Sequence, residues 1–203
     1  MDRLVLATRN AHKVTELRAI LGEAGVALEL LGADAFPEVP DVKETGVTFA
    51  ANALLKAHAL ARATGLPAVA DDSGLCVDVL GGAPGIFSAR WAGRHGDDVA
   101  NLELLLAQLS DVPDEHRGAH FACAAALALP DGRERVTEGR LTGTLRREPA
   151  GAGGFGYDPI LQPTDSDRTC AELTPEEKNA ISHRGLAFRA LAPLVAELVP
   201  SGR

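Results

Sequence analysis

Asp71 and Asp72, followed by Ser73 and Gly74, close a short apolar run over 66–70. Successive residues of an extended chain point to opposite sides, so one aspartate faces a cavity at the strand end and the other the packing behind it. Carboxylates delivered in this way suit a hard cation such as Mg²⁺. The same residue types also favour a solvated turn, and alone they leave both readings open. A second polar stretch, Thr8-Arg9-Asn10-Ala11-His12-Lys13, joins an apolar strand over 4–7 to a helix in which Val14, Leu17 and Leu21 recur at helical spacing. A basic strand-to-helix turn offers backbone N–H groups and a positive dipole end to a phosphate, although a plain connection with two surface cations has the same composition. Asn52 and Lys56 stand four apart on one helix face. Either they point into a site or the lysine stem lies along an apolar stripe.

The elements that position these residues follow from periodicity and punctuation. Asn10 is a suitable N-cap for the first helix and Gly22 or Gly25 a suitable stop. A second strand over 27–31 and a loop carrying Pro37 and Pro40 come next. A helix over about 48–64 is stopped by Gly65, and a short apolar segment spans 75–80. An acidic start and apolar spacing predict a helix over 97–109. The nearly continuous apolar run 120–129, the turn 130–133 and the stretches 134–136 and 139–145 read as an antiparallel hairpin or meander. Strand–helix units early and a hairpin later predict a mixed sheet.

Gly151-Ala152-Gly153-Gly154-Phe155-Gly156 matches the spacing of a dinucleotide-binding loop, but that motif requires a strand before it and a helix after it. Pro159 disfavours helix at Asp158, which leaves a glycine loop displaying Phe155, Tyr157 and Asp158. His116 and His120 lack a common helix because Gly118 intervenes, so they are not read as a metal pair. Thr174-Pro175-Glu176-Glu177 is a strong helix start. Ser182 either caps a fresh helix from about His183 to Leu198, or lies within one continuous helix.

The 203 residues, 46% of them hydrophobic, suffice for one domain with a substantial core. The net charge of −8 argues against binding a nucleic-acid polymer, which needs clustered cations, but not against a nucleotide. Cys76, Cys123 and Cys170 are scattered and odd in number, as expected of reduced, mostly buried thiols in the cytoplasm. No run is long enough to span a membrane and no signal peptide is expected.

Seven blocks in order carry a resemblance. They are Thr8-Arg9-Asn10 with Lys13, Glu44 to Phe49, Asn52-Ala53 with Lys56-Ala57, Ala70 to Leu75, Gly81 to Gly85, Gly153 to Pro159, and Glu177 to Ala180 with Ser182-His183-Arg184. Together they resemble the Ham1/RdgB family of inosine/xanthosine triphosphate pyrophosphatases, over nearly the whole chain. The resemblance implies an α/β fold of two lobes around a long, mixed, twisted sheet, with the active site in the cleft between lobes, residues 1–203 forming one catalytic domain. It implies a Mg²⁺-dependent homodimer that cleaves dITP, ITP and XTP to monophosphate and pyrophosphate. By the same resemblance Glu44 and Asp72 are metal-side carboxylates and Asp72 is either the proton acceptor or the group that orients the water through Mg²⁺, with Asp71 contributing and the division between the two aspartates left open. Thr8 to Lys13 form the phosphate turn, Lys13, Lys56 and Lys178 face phosphates, and Ser73 touches substrate. Phe155 stacks on the base, with Gly156, Tyr157, Asp158, His183 and Arg184 completing its pocket. Arg9, His12, Lys43 and Ala51 depart from residues common in the family. A Maf-like pyrophosphatase acting on modified or pyrimidine nucleotides is the alternative enzyme, against which Ser182-His183-Arg184 speaks. A nucleotide sensor without catalysis is the alternative outside enzymes.

Overall fold

The computed structural model describes residues 3–8 and 11–199. Its six strands are β1 (Arg3–Leu6), β2 (Glu29–Gly32), β3 (Ala68–Val77), β4 (Gly118–Ala128), β5 (Glu134–Leu145) and β6 (Leu161–Pro163). They form one sheet in the order β2-β1-β3-β4-β5-β6. The sheet is mixed, as expected: β1 is parallel to both β2 and β3, whereas β5 and β6 are antiparallel. The helices are α1 (Ala11–Glu23), α2 (Phe49–Thr64), α3 (Asp98–Gln108), α4 (Pro175–Ile181) and α5 (His183–Leu198). The fold is therefore α/β. Among the described residues no helix is long and apolar enough to cross a membrane.

The chain divides into two compact units, 1–72 with 123–139 and 184–203, and 73–122 with 140–183. In the first unit, strand alternation sorts side chains onto two faces. Val69, Cys123, Ala125 and Leu127 join Leu17, Leu21, Phe188 and Leu191 of α1 and α5 in one cluster. Ala68, Ala70, Ala124, Ala126 and Ala128 face Ala53, Ala57 and Ala61 of α2 in another. Alanine on both sides lets a helix lie close to the sheet, because only methyl groups separate the backbones. α2 starts where Thr48 accepts from Ala51 N–H at 3.1 Å and ends at Gly65, in the left-handed conformation (φ 68°).

The second unit packs Leu75, Val77, Phe121, Leu145 and Leu161 against Leu102 and Leu105 of α3 and Leu109, which follows it. Arg117, 1% exposed, is set into it. Its guanidinium donates to the carbonyls of Leu109 (2.6 Å), Leu145 (2.9 Å) and Arg146 (3.1 Å). Burial pushes its pKa down from the usual value. Five fixed N–H donors serve several carbonyls at once, which an ammonium on a flexible stem cannot reproduce.

Two expectations need correction. Asp71-Asp72-Ser73-Gly74 is not a turn: β3 runs on through it to Val77. The turn preference of these residues gives way to sheet pairing and to the burial of Leu75 and Val77, which tertiary context decides. Gly74 permits this, since a Cβ there would meet the Gly85 carbonyl and Ser88 Oγ, each at 2.5 Å. The residues 134–136 and 139–145 are one strand, β5, and its short partner β6 had no periodic signal of its own. The break between α4 and α5 does fall at Ser182, whose backbone is extended (φ −62°, ψ 140°). Cys123 and Cys170 are buried and Cys76 half-buried, all three as free thiols.

Replacing Arg117 by Met removes a donor from three carbonyls, of which that of Leu109 keeps Val112 N–H at 3.1 Å. Arg117→Met is expected to cost about 3 kcal/mol in denaturant unfolding, with Arg117→Lys recovering less than half. A loss below about 1 kcal/mol would show that water replaces the guanidinium.

Candidate functional site

The first unit gathers charge around the end of its part of β3. Asp72 has the parity of Ala68 and Ala70 and so emerges on the α2 side. There Asn52 Nδ2 donates to Asp72 Oδ2 (3.1 Å), and Lys56 Nζ lies 3.5 Å from Asp72 Oδ1. Lys56 also donates to Glu44 Oε1 at 2.8 Å, so one ammonium holds two carboxylates from distant parts of the chain. Burial alone would lower the Lys56 pKa, but Asp72 and Glu44 outweigh it and the pKa is raised. Burial raises the Asp72 pKa and Glu44 adds to the rise, against the opposing pull of Lys56 and Asn52. Its carboxylate therefore holds a proton more readily than an ordinary aspartate.

Asn52 is fully buried and bonded at both ends of its amide. Its Oδ1 accepts from Gly46 N–H at 2.8 Å. A Cβ at Gly46 would meet that oxygen at 2.7 Å, so the residue-46 backbone can lie against Asn52 only as glycine. The sequence placed Asn52 and Lys56 on one face but left open whether they enter a site; both reach the Asp72 carboxylate. The Asn52–Asp72 bond was the missed relation, and the four-residue spacing to Lys56 was its signal.

Asp71 has the parity of Val69 and points to the α5 side. Its Oδ2 accepts from Arg184 Nε at 3.0 Å, with side-chain exposures of 4% and 12% for the aspartate and arginine. Burial would lower the Arg184 pKa, yet Asp71 reverses it and the pKa is raised. A buried pair of this kind costs several kcal/mol to break from one side, because the other charge is left stranded. Thr8 is half-buried, its carbonyl accepting from Ala33 N–H at 3.0 Å. Arg9 and Asn10, and the side chains of Ala11, His12 and Lys13, lie outside the described residues.

The second unit carries the glycine loop. Phe155 is 64% exposed, whereas Tyr157 and Asp158 are buried. Asp158 Oδ2 accepts from Phe155 N–H (2.8 Å) and pairs with Lys178 Nζ (2.5 Å), which lies 5.2 Å from the centre of the Phe155 ring. Lys178, expected to face phosphate, is thus tied to the aromatic loop. The Tyr157 hydroxyl donates to the Ser88 carbonyl at 2.9 Å. His183 stacks on Phe121, with ring centroids 4.9 Å apart. Ser73 is half-buried in β3, one residue before the close approach at Gly74. The residues of this loop expected to recognise a base are held together, with Phe155 outward and Tyr157 and Asp158 inward.

Among the described residues no group of three or more His, Cys, Asp or Glu side chains is arranged to hold a metal ion. Two carboxylates converging on one ammonium nevertheless fit a Mg²⁺-like cation, which takes one or two protein carboxylates and completes its shell with water and phosphate oxygens.

Comparison with known proteins gives a consistent result. The model of the Ham1 family matches residues 4–194. The dITP/XTP pyrophosphatase of Streptomyces coelicolor is 80% identical over 199 residues, covering 98% of this chain and all of that protein. That of Nocardia farcinica is 57% identical, covering 98% of this chain and 97% of the relative. The crystal structure of the nucleoside-triphosphatase / dITP/XTP pyrophosphatase from Mycobacterium abscessus superimposes with a TM-score of 0.81 at 55% identity, covering 95% of this chain and 99% of that one. A HAM1 protein from Coxiella burnetii gives 0.89 at 42% identity, covering 97% of this chain and all of that one.

Two predictions concern the supports of these groups. Asn52→Leu strands the Gly46 N–H and one Asp72 oxygen, and is expected to cost about 2 kcal/mol by denaturant unfolding. An unchanged unfolding midpoint would refute the bridging role. α4, which presents Lys178, begins with a capping box in which Glu177 also pairs with Arg168. The Arg168 guanidinium and the Thr174 N–H hold the Glu177 carboxyl at about 2, against an ordinary 4.5. A depressed folded-state pKa stabilises above the unfolded value and is lost as pH falls through the folded one. The gap in melting temperature between wild type and Glu177→Gln is therefore expected to close between about pH 4.5 and pH 2. A gap constant over that range would rule the pairing out.

Proposed function

The chain belongs to the Ham1 family, and on that premise we propose that it hydrolyses deaminated purine nucleoside triphosphates (dITP, ITP and XTP) to monophosphate and pyrophosphate. The observation that carries this reading is the pair Glu44 and Asp72 gathered on the Lys56 ammonium, in a chain 80% identical to a dITP/XTP pyrophosphatase. We also read residues 1–203 as one catalytic domain acting as a cytoplasmic homodimer.

Cleavage forms a bond from water oxygen to the α-phosphorus and breaks the bond from that phosphorus to the oxygen bridging to the β-phosphate. Pyrophosphate leaves with the bond's electrons, and the water proton must pass to a base. Asp72 suits that part, or the orienting of the water, better than Asp71, because Asp71 is committed to Arg184. Glu44 and Asp72 would hold a Mg²⁺ ion, which when bound draws negative charge off the phosphate oxygens. Lys56 and the turn from Thr8 to Lys13 supply further positive charge for the triphosphate. Asn52 keeps Asp72 in one orientation and thereby fixes where the accepted proton goes.

Phe155 offers an exposed ring on which a purine can stack. Hypoxanthine and xanthine carry O6 and an N1–H donor, and adenine reverses both. A desolvated site matched to the first pattern leaves unpaired polar groups with the second, which can separate substrates by about 10⁴-fold. His183, in the same unit as Phe155, is assigned to the same recognition, whereas Arg184 is paired with Asp71.

The decisive assay is pyrophosphate release across a nucleotide panel, with and without Mg²⁺. dITP and XTP are expected to turn over far faster than dATP, dGTP or pyrimidine nucleotides, and only with the metal. Orthophosphate as sole product, or pyrimidine preference of the Maf-like kind, would overturn the reading. Asp72→Asn is expected to lower kcat by about 10²- to 10⁴-fold. Undiminished turnover would remove Asp72 from the chemistry.

A further inference from the structure

Asp98 lies outside the carboxylate cluster and in none of the sequence blocks that mark the site, yet it reaches the base loop. Its Oδ2 accepts from Gly156 N–H at 3.0 Å, across 58 residues of sequence. A carboxylate in the first turn of a helix normally serves that helix. Here Asp97 does so, accepting from Ala100 N–H at 3.3 Å, and leaves Asp98 for the loop. α3 is seated without Asp98: Leu102, Leu105 and Leu109 are buried, Asn101 Oδ1 accepts from Ala92 N–H (2.7 Å), and Trp91 Nε1 donates to Gln108 (2.9 Å).

The loop it holds needs restraint. Gly151, Gly154 and Gly156 have φ of 84°, 73° and 60°, and a glycine-rich segment has many conformations to lose. Phe155 N–H is taken by Asp158 and Gly156 N–H by Asp98. At those two positions the backbone N–H groups are therefore engaged within the protein, and the Phe155 carbonyl in turn accepts from Asp158 N–H at 3.2 Å. An engaged N–H is withheld from the N1 lone pair of adenine, which needs a donor, whereas a purine bearing N1–H does not ask for one at that edge position.

We propose that Asp98 is a positioning residue for base selection. By engaging Gly156 N–H it fixes the platform that displays Phe155, and it removes a backbone donor that would otherwise welcome adenine. The inference rests on the pyrophosphatase reading, and its test separates the two.

Wild type, Asp98→Ala, Asp98→Asn and Asp97→Ala are compared by melting, by amide hydrogen exchange of 151–158, and by kcat and KM on dITP and dATP. Asp98→Ala is expected to speed exchange in that segment and to lower the dITP/dATP ratio of kcat/KM about tenfold, chiefly through KM. Asp98→Asn keeps an acceptor oxygen and recovers most of both. Asp97→Ala removes the helix cap and lowers the melting temperature while leaving exchange and the ratio alone. Exchange unchanged in Asp98→Ala, exchange raised with the ratio unmoved, or Asp97→Ala shifting the ratio equally would each overturn the proposal. Wild type without preference for dITP over dATP defeats the pyrophosphatase reading, and base selection with it, before any variant is considered.

Discussion

Consecutive residues of an extended strand must leave it on opposite faces, and in the first unit the placement of charge depends on this constraint. Asp72 follows Ala68 and Ala70 to the side where α2 lies close, and meets Asn52 and Lys56. Asp71 follows Val69 to the side of α5, and meets Arg184. Two adjacent carboxylates would otherwise compete for one cation and repel each other. Parity gives each its own partner and sets Asp72 on the side where Lys56 also holds Glu44. The alanines of α2 and of the facing strand residues bring the helix close enough for a short amide such as Asn52 to reach across.

The second unit meets a different difficulty, that of holding glycine-rich backbone still. Its means are side chains that accept or donate inward: Asp158 to Phe155 N–H, Asp98 to Gly156 N–H and the Tyr157 hydroxyl to the Ser88 carbonyl. Ser88 itself accepts from Leu75 N–H at 2.9 Å and donates to the Gly85 carbonyl at 2.6 Å, so the short 3₁₀ turn Gly85–Arg90 joins the loop to β3. Burial of Tyr157 and Asp158 and exposure of Phe155 follow from that arrangement. A ring held outward by buried partners would lose little further entropy on taking up the stacking proposed for it.

Much of the fold was legible because its signals are local. Helix α2 reads from its Gly65 stop, and α4 from its Thr174-Pro175-Glu176-Glu177 start. Sequence could not read β3 past Asp72, because Asp, Ser and Gly carry a turn preference that only pairing with neighbouring strands overrules. β6, three residues ending in proline, has too few positions for any period to show.

By itself the sequence determined which residue types were at hand: the carboxylates, lysines and loop aromatic of the proposed site, and the order of blocks that marks the family. Their short-range setting, caps and spacings, is written in neighbours along the chain. The tertiary structure alone decided who partners whom. Lys56 with Glu44, Asn52 with Asp72, Arg184 with Asp71 and Asp98 with Gly156 join positions 12, 20, 113 and 58 residues apart. Such pairs depend on strand parity and on how closely helices approach the sheet, which are set by the packed core and not by any run of adjacent residues.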